Sequence, residues 1–333
     1  MFGDLDGNAK KLWSMAGLGT PMAIRVAATL RVADHIVAGK QTAAELAEAC
    51  GAHADTLERL LRYLSVRGVF ARDDEGRYSL TPLGQPLRED HPAKARAWFD
   101  IDGMGWGELS FVELLHSVRT GEAAFPKRYG REYWDDMRAS KVRTESFHAL
   151  HGADVAARAP GIVAGFDWAS LGKVTDVGGG DGSLLTAILK ANPGLRGAVF
   201  DMPDATPAAK QTFVEAGIDD RAEAISGSFF ETIPSGSDAY MLSIVLHDWP
   251  DEDAVKILRN CAAAAGPDGR VLIIETIGDG EETHTGMDLR MLALYAARER
   301  GVADFSELAR QAGLRTVDVH RAGPSAIIEL RAA

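Results

Sequence analysis

The chain has 333 residues, 46% hydrophobic and 25% charged, which suits an ordinary globular protein with room for two domains and excludes a disordered or fibrous one. Its formal net charge of −12 argues against nonspecific binding to nucleic acid or anionic membrane, because both depend on Lys and Arg neutralising phosphate. No apolar run approaches the roughly 18 residues that span a bilayer, Asp4 and Asp6 stand where a signal peptide would be basic, and a cytoplasmic location is expected. Cys50 and Cys261 are far apart and have no histidines at ligand spacing, so neither a disulfide framework nor a metal is expected.

The first section, residues 1–105, reads as helical with a small hairpin. Pro21 to Ile36 is almost continuously apolar and predicts one helix buried on more than one side, with Arg25 its conspicuous charge. Thr42 to Glu45 has the pattern of a capping box, and after Gly51 a second helix carries Leu57, Leu60, Leu61 and Leu64 at helical spacing. Val69 to Arg72 and Arg77 to Leu80 flank Asp73 to Gly76, the turn chemistry of a hairpin. Together these make a winged helix. Asp55 and Glu58 sit at the start of the helix that would face bases, and they would repel phosphate, so DNA reading is disfavoured.

Residues 106–165 read as a helical connection with aromatic interruptions, and residues 166–333 as short apolar strands alternating with helices, a doubly wound α/β sheet. Strands are expected at Lys173 to Val177, Gly197 to Phe200, Ala222 to Ile225, Ala239 to Val245 and Arg270 to Glu275. Thr316 to His320 and Ser325 to Leu330, joined through Gly323 and Pro324, predict a terminal antiparallel pair.

Asp176-Val177-Gly178-Gly179-Gly180-Asp181-Gly182 follows a strand and opens a helix, the place where such a sheet lets a backbone approach a nucleotide. Asp201 ends the next strand, about twenty residues on, where a carboxylate can accept both ribose hydroxyls. The dinucleotide pattern G-x-G-x-x-G would place its third glycine at Ser183, whereas here the glycines are Gly178, Gly180 and Gly182. Asp176 suits an ammonium group and would repel a pyrophosphate. S-adenosylmethionine is therefore the expected cofactor.

With these motifs, the chain resembles the small-molecule O-methyltransferases of the caffeate type, in their actinobacterial polyketide and antibiotic branch, which extends to enediyne-pathway naphthoates. The resemblance covers the apolar first helix, the winged helix, the glycine motif, Asp201-Met202-Pro203 and, most specifically, Leu246-His247-Asp248-Trp249-Pro250-Asp251-Glu252. It implies a Rossmann-like methyltransferase sheet behind a winged-helix homodimerisation domain that does not bind DNA. It also implies His247 as catalytic base, oriented by Glu275 and Glu299, and Trp249 beside the adenine. Two departures concern the cofactor: Ser228 before Phe229 replaces the family's aspartate, and Ser243 stands where plant members carry a lysine.

A phenol is mostly neutral at pH 7, so transfer of a methyl to its oxygen needs a group that takes the proton, the task that His247 would perform. Phe147, Met287 and Met291 are candidates for an acceptor pocket, though at helical spacing the methionines equally suit a core. Arg25 has two readings: a packed stem with a paired guanidinium, or, from the resemblance, a residue entering the partner subunit's pocket to hold a substrate carboxylate. The rival functions are a DNA-binding regulator with a ligand-sensing methyltransferase-like domain, an N- or C-methyltransferase, and a hydroxylase relative that keeps the cofactor.

Overall fold

A computed structural model describes residues 6–277 and 281–333, leaving Asp4 outside the described residues. The chain divides into two compact units, one of residues up to 109 together with 137–153, the other of 110–136 together with 154–333. The helical connection expected at 106–165 is thus divided between them. No helix among the described residues is long and apolar enough to cross a membrane.

In the first unit, helices Ala43–Cys50 and Ala54–Val66 precede the strands β1 (Phe70–Arg72) and β2 (Tyr78–Leu80), paired antiparallel. The Thr42 capping box forms, with the Thr42 hydroxyl accepting from the Glu45 N–H and the Glu45 carboxylate accepting from the Thr42 N–H. Leu57, Leu61 and Leu64 are buried in the core of this unit, with Leu60 packed against it. At the hairpin turn Asp73 accepts from the N–H groups of Glu75 and Arg77.

The single helix expected over Pro21 to Ile36 is two, Gly19–Thr29 and Val32–Val37. Arg31 between them is left-handed at φ +53°, a bend that periodicity does not reveal because neither glycine nor proline marks it. The bend lets Ala27 and Ala28 on one helix and Val32, Ala33 and Ile36 on the other reach the same core. Large apolar side chains are instead exposed on the preceding helix, Gly7–Ala16, where Leu12, Trp13 and Met15 face outward.

In the second unit seven strands form one sheet: β3 (Lys173–Val177), β4 (Arg196–Asp201), β5 (Ala222–Ser226), β6 (Ala239–Ser243), β7 (Arg270–Thr276), β8 (Leu314–Ala322) and β9 (Ser325–Ala332). Their order is β5-β4-β3-β6-β7-β9-β8, with the first five parallel and β9 antiparallel to both β7 and β8. The first four residues of β6 are fully covered, as a near-continuous apolar run at the centre of a parallel sheet requires. The order reverses between β3 and β6, and the crevice at the carboxyl ends of those two strands is where such a sheet takes a ligand.

Candidate active site

The turn after β3 is built from glycine for two separate reasons. Gly178 is left-handed at φ +76°, and a Cβ on it would lie 2.9 Å from Val245 Cγ2. At Gly182, φ is +73° and a Cβ would meet the Phe213 ring at 2.7 Å. A side chain at either place would add about 1 to 2 kcal/mol of backbone strain before any clash. Asp201, at the end of β4, fixes the turn from the neighbouring strand: its Oδ2 accepts from the Gly180 N–H at 2.8 Å and its Oδ1 from the Met202 N–H at 2.6 Å.

Asp176 lies buried under this turn, and neither carboxyl oxygen has a hydrogen-bond partner. Burial, with the negative charges of Asp201 and Asp181, pushes its pKa up to about 8 against the pull of Arg158. Ser243, the last residue of β6, also has a buried hydroxyl with no partner. Ser228 begins a tight turn, its hydroxyl accepting from the Phe230 N–H at 3.3 Å. Phe229 and Phe230 pack edge-on to Trp249, with centroids 5.7 and 4.7 Å away, and Phe229 Cε1 comes within 3.6 Å of where a Gly178 Cβ would lie. Unmet acceptors, a glycine turn open to backbone approach and an aromatic wall suit a nucleoside carrying a cationic amino-acid tail, so the residues present fit S-adenosylmethionine.

The second cluster follows β6. The strand ends at Ser243 rather than at Val245, because Ile244 is left-handed at φ +54° while its N–H still donates to the Ile274 carbonyl. A β-branched residue in that conformation is strained, and such strain collects where a site over-determines the backbone. It redirects the chain into the short 3-10 turn Leu246–Asp248, which carries His247. His247 Nδ1 lies 3.0 Å from Glu299 Oε1, and its Nε2 lies 3.4 Å from Asp248 Oδ1. Glu275, at the carboxyl end of β7, is buried with no hydrogen-bond partner on Oε1. Of the two glutamates expected to orient the histidine, Glu299 makes the direct contact, while Glu275 acts through its charge.

The charges here are coupled. Burial opposes an imidazolium, but Asp248, Glu275 and Glu299 outweigh it and push the His247 pKa up to about 10. Burial in turn raises the acids, Asp248 to about 6 and Glu275 to about 7, despite the attraction of His247. The resting cluster therefore favours the protonated ring, whereas a base must present the neutral one. Asp248 and Glu275 carry protons over part of the neutral range, and each proton they take up weakens the hold on the imidazolium.

Two residues of this site were not singled out from the sequence. Asp248 adjoins the histidine in the motif, and its type and position alone could have flagged it. Arg300 is fully buried: its guanidinium donates to the carbonyls of Leu246 at 2.7 Å and Trp249 at 2.8 Å and pairs with Asp251 at 2.7 Å. It ties the segment carrying His247 to the one carrying Glu299.

The expected acceptor residues are divided between the two units. Phe147 belongs to the first unit, where its ring lies 4.0 Å from that of His151. Met291 is buried and Met287 exposed on the helix Glu281–Tyr295 in the second unit. Arg25 pairs with Glu108 of its own chain at 3.2 Å, reaches the Trp98 carbonyl at 3.4 Å and is largely covered. That is the arrangement of the packed, paired reading, and a role in a partner's site would require the guanidinium to exchange Glu108 for the substrate.

Comparison with known proteins identifies the family. Residues 13–90 match an O-methyltransferase dimerisation domain and residues 111–315 an O-methyltransferase domain. Over 322 residues the chain is 50% identical to the 2,7-dihydroxy-5-methyl-1-naphthoate 7-O-methyltransferase of Streptomyces carzinostaticus, covering 96% of this chain and 97% of that protein. It is also 40% identical to the aclacinomycin 10-hydroxylase RdmB of Streptomyces purpurascens, over 97% of this chain and 88% of that protein. Among solved structures, the O-methyltransferase NcsB1 from neocarzinostatin biosynthesis, in complex with S-adenosylmethionine and 2-hydroxy-5-methyl naphthoic acid, matches with a TM-score of 0.93 at 50% identity, over 97% of this chain and 98% of that one. The chain belongs to the S-adenosylmethionine-dependent O-methyltransferases.

Proposed function

We propose that this methyltransferase acts on a phenolic hydroxyl of an aromatic acid of the naphthoate type, with His247 as the base. The observation that carries the reading is the contact of His247 with Glu299 on the segment after β6, next to the strand whose end forms the glycine turn. S-adenosylmethionine supplies an electrophilic methyl on a sulfonium when bound. In this reading Asp201 accepts from its ribose hydroxyls, Asp176 from its ammonium, Ser228 and Ser243 meet polar edges, and Phe229 with Trp249 flanks the adenine. Nδ1 of His247 is engaged by Glu299, so Nε2 is the nitrogen that takes the phenol proton, and Glu299 and Glu275 stabilise the imidazolium so formed.

The acceptor class is tested with methyl-labelled cofactor and a panel of hydroxynaphthoic acids, hydroxybenzoic acids and the corresponding amides. Label is expected in a hydroxynaphthoic acid, and none in any hydroxylated aromatic would remove the acceptor assignment. In the same panel Arg25→Ala, which breaks the pair with Glu108, is expected to change acid and amide alike. A rise in KM confined to the acids would instead place Arg25 in the partner's site.

We further infer a homodimer. The matched dimerisation domain, together with Leu12, Trp13 and Met15 exposed on one short helix, supports a second copy covering that surface. Light scattering is expected to give twice the 35.7 kDa chain mass, and Leu12→Glu to shift the population toward monomer. A wild-type monomer at micromolar concentration would contradict this reading.

A further inference from the structure

Glu299 reaches His247 from a stretch that belongs to no helix or strand. The helix Glu281–Tyr295 stops at Ala296, which is left-handed at φ +54° although it is not glycine. The chain then turns back, so that the Ala297 N–H donates to the Met291 carbonyl at 3.3 Å, and residues 297–301 run as irregular backbone to the helix Val302–Gln311. Neither a helical ladder nor a sheet fixes the backbone there, yet a carboxylate that orients an imidazole has to be held within a fraction of an ångström. Side chains must supply the hold.

The residues on either side of Glu299 are anchored by their own guanidinium groups. Arg298 pairs with Asp251 at 2.8 Å, and Arg300 donates to the carbonyls of Leu246 and Trp249. The backbone of Glu299 itself is tied by Asp288, whose Oδ1 accepts from the Glu299 N–H at 2.9 Å. Asp288 stands about two turns before the end of the helix Glu281–Tyr295, and that helix also packs against the 3-10 turn Leu246–Asp248 that carries His247. One helix therefore touches the turn of the base and, through Asp288, holds the partner of the base. The Asp288 side chain is exposed, where substitutions ordinarily matter little, so its bond to irregular backbone beside the site is what sets it apart.

We propose that Asp288 is a positioning residue for methyl transfer: its carboxylate fixes the Glu299 backbone and so holds the Glu299 carboxylate against Nδ1 of His247. It acts through Glu299 and not on a reacting atom. This assignment rests on the base reading given above and extends it to what keeps the base and its partner in register. With Glu299 held, Nδ1 keeps its proton and Nε2 presents its lone pair to the phenol. With Glu299 adrift, the ring can turn or take the other tautomer, and either change withdraws that lone pair.

The test is the pH dependence of turnover in the full-length protein, with S-adenosylmethionine and the hydroxynaphthoic acid that takes the methyl label best. Asp288→Leu removes the acceptor oxygens and is expected to lower the limiting kcat at high pH by about 10- to 100-fold, the scale of a misplaced group, with cofactor affinity unchanged. Burial opposes the imidazolium of His247, and Glu299 is one of the charges, with Asp248 and Glu275, that outweigh it, so its displacement should also move the rising limb to lower pH. Asp288→Asn keeps an acceptor oxygen and should restore most of kcat and the position of the limb. In a Glu299→Gln background Asp288→Leu should add little, because residues that act through one contact are not additive. A lowered kcat with an unmoved limb and weakened cofactor would make Asp288 structural, full additivity with Glu299→Gln would separate it from Glu299, and an Asn variant no better than Leu would assign the effect to charge; each overturns the proposal. If Asp288→Leu does not fold, hydrogen exchange of the Glu299 amide in wild-type protein carrying nitrogen-15 glutamate decides: slow exchange is expected, and exchange at the rate of an open loop rejects the proposal. Undiminished turnover in His247→Ala would reject the base reading instead.

Discussion

Replacing His247 by alanine is expected to lower turnover on a neutral phenol by about two to four orders of magnitude, the usual contribution of a general base, while leaving cofactor affinity nearly unchanged. The second half of that expectation follows from the contacts: the His247 ring engages Glu299 and Asp248, whereas Asp201 holds the glycine turn. A more acidic phenol, ionised without help, should rescue the variant in part. The pH profile carries further information. Asp248, Glu275 and Glu299 hold the His247 pKa up, to about 10, so the neutral ring becomes more abundant as pH rises and turnover should rise with it. Glu299→Gln removes one of the charges that raises this pKa, and the rising limb should move to lower pH by about one unit or more. Stopped or steady-state assays over pH 6 to ~10 would read both effects. A flat profile in wild type, with undiminished turnover in His247→Ala, would take the histidine out of the mechanism.

Asp201→Ala should weaken S-adenosylmethionine by roughly 1.5 to 3 kcal/mol, through loss of charged hydrogen bonds. Two effects act in addition to the ribose contacts. The carboxylate also accepts from the Gly180 and Met202 N–H groups, so its removal loosens the turn itself. Burial is the main cause of the raised Asp176 pKa and the Asp201 charge adds to it, so the substitution should lower that pKa in part and shift Asp176 toward the ionised form, a partial compensation toward an ammonium. Titration calorimetry measures the sum, and NADH should not bind measurably to either protein. An affinity unchanged by the substitution would remove Asp201 from the cofactor site, and tight NADH binding would overturn the choice of cofactor.

Much of this site could be read from the chain because its chemistry is local. The glycine turn, Asp201 at the following strand end and His247 after the fourth strand of the parallel set are fixed by strand order and residue type, and the structure puts each at a carboxyl end of the sheet. The terminal pair of strands was equally legible, from two runs separated by Gly323-Pro324, though β8 and β9 extend beyond the expected limits. What stayed hidden was non-local or conformational. Nothing in a list of residues shows that Ile244 and Arg31 would be left-handed, since neither is a residue type that marks such a bend. Arg300 reads as one more charge in an Arg-Glu-Arg triplet until the fold brings it under Leu246 and Trp249. The apolar helix at Pro21 is a similar case. Its composition predicts burial but not against what, and most of its buried face is spent inside its own unit rather than left for a partner.

A relative at 40% identity is a hydroxylase, so membership of the family and the presence of a cofactor site leave the outcome at the acceptor as the decisive point. The most direct measurement is to incubate the protein with S-adenosylmethionine carrying a carbon-13 methyl and a hydroxynaphthoic acid, and to follow the products by mass spectrometry and carbon NMR. One added methyl per acceptor, with its carbon resonating as an aryl methyl ether and S-adenosylhomocysteine formed in equal amount, is the predicted result. A product gaining oxygen with the labelled methyl still on the cofactor, or a methyl resonating on carbon or nitrogen, would contradict it.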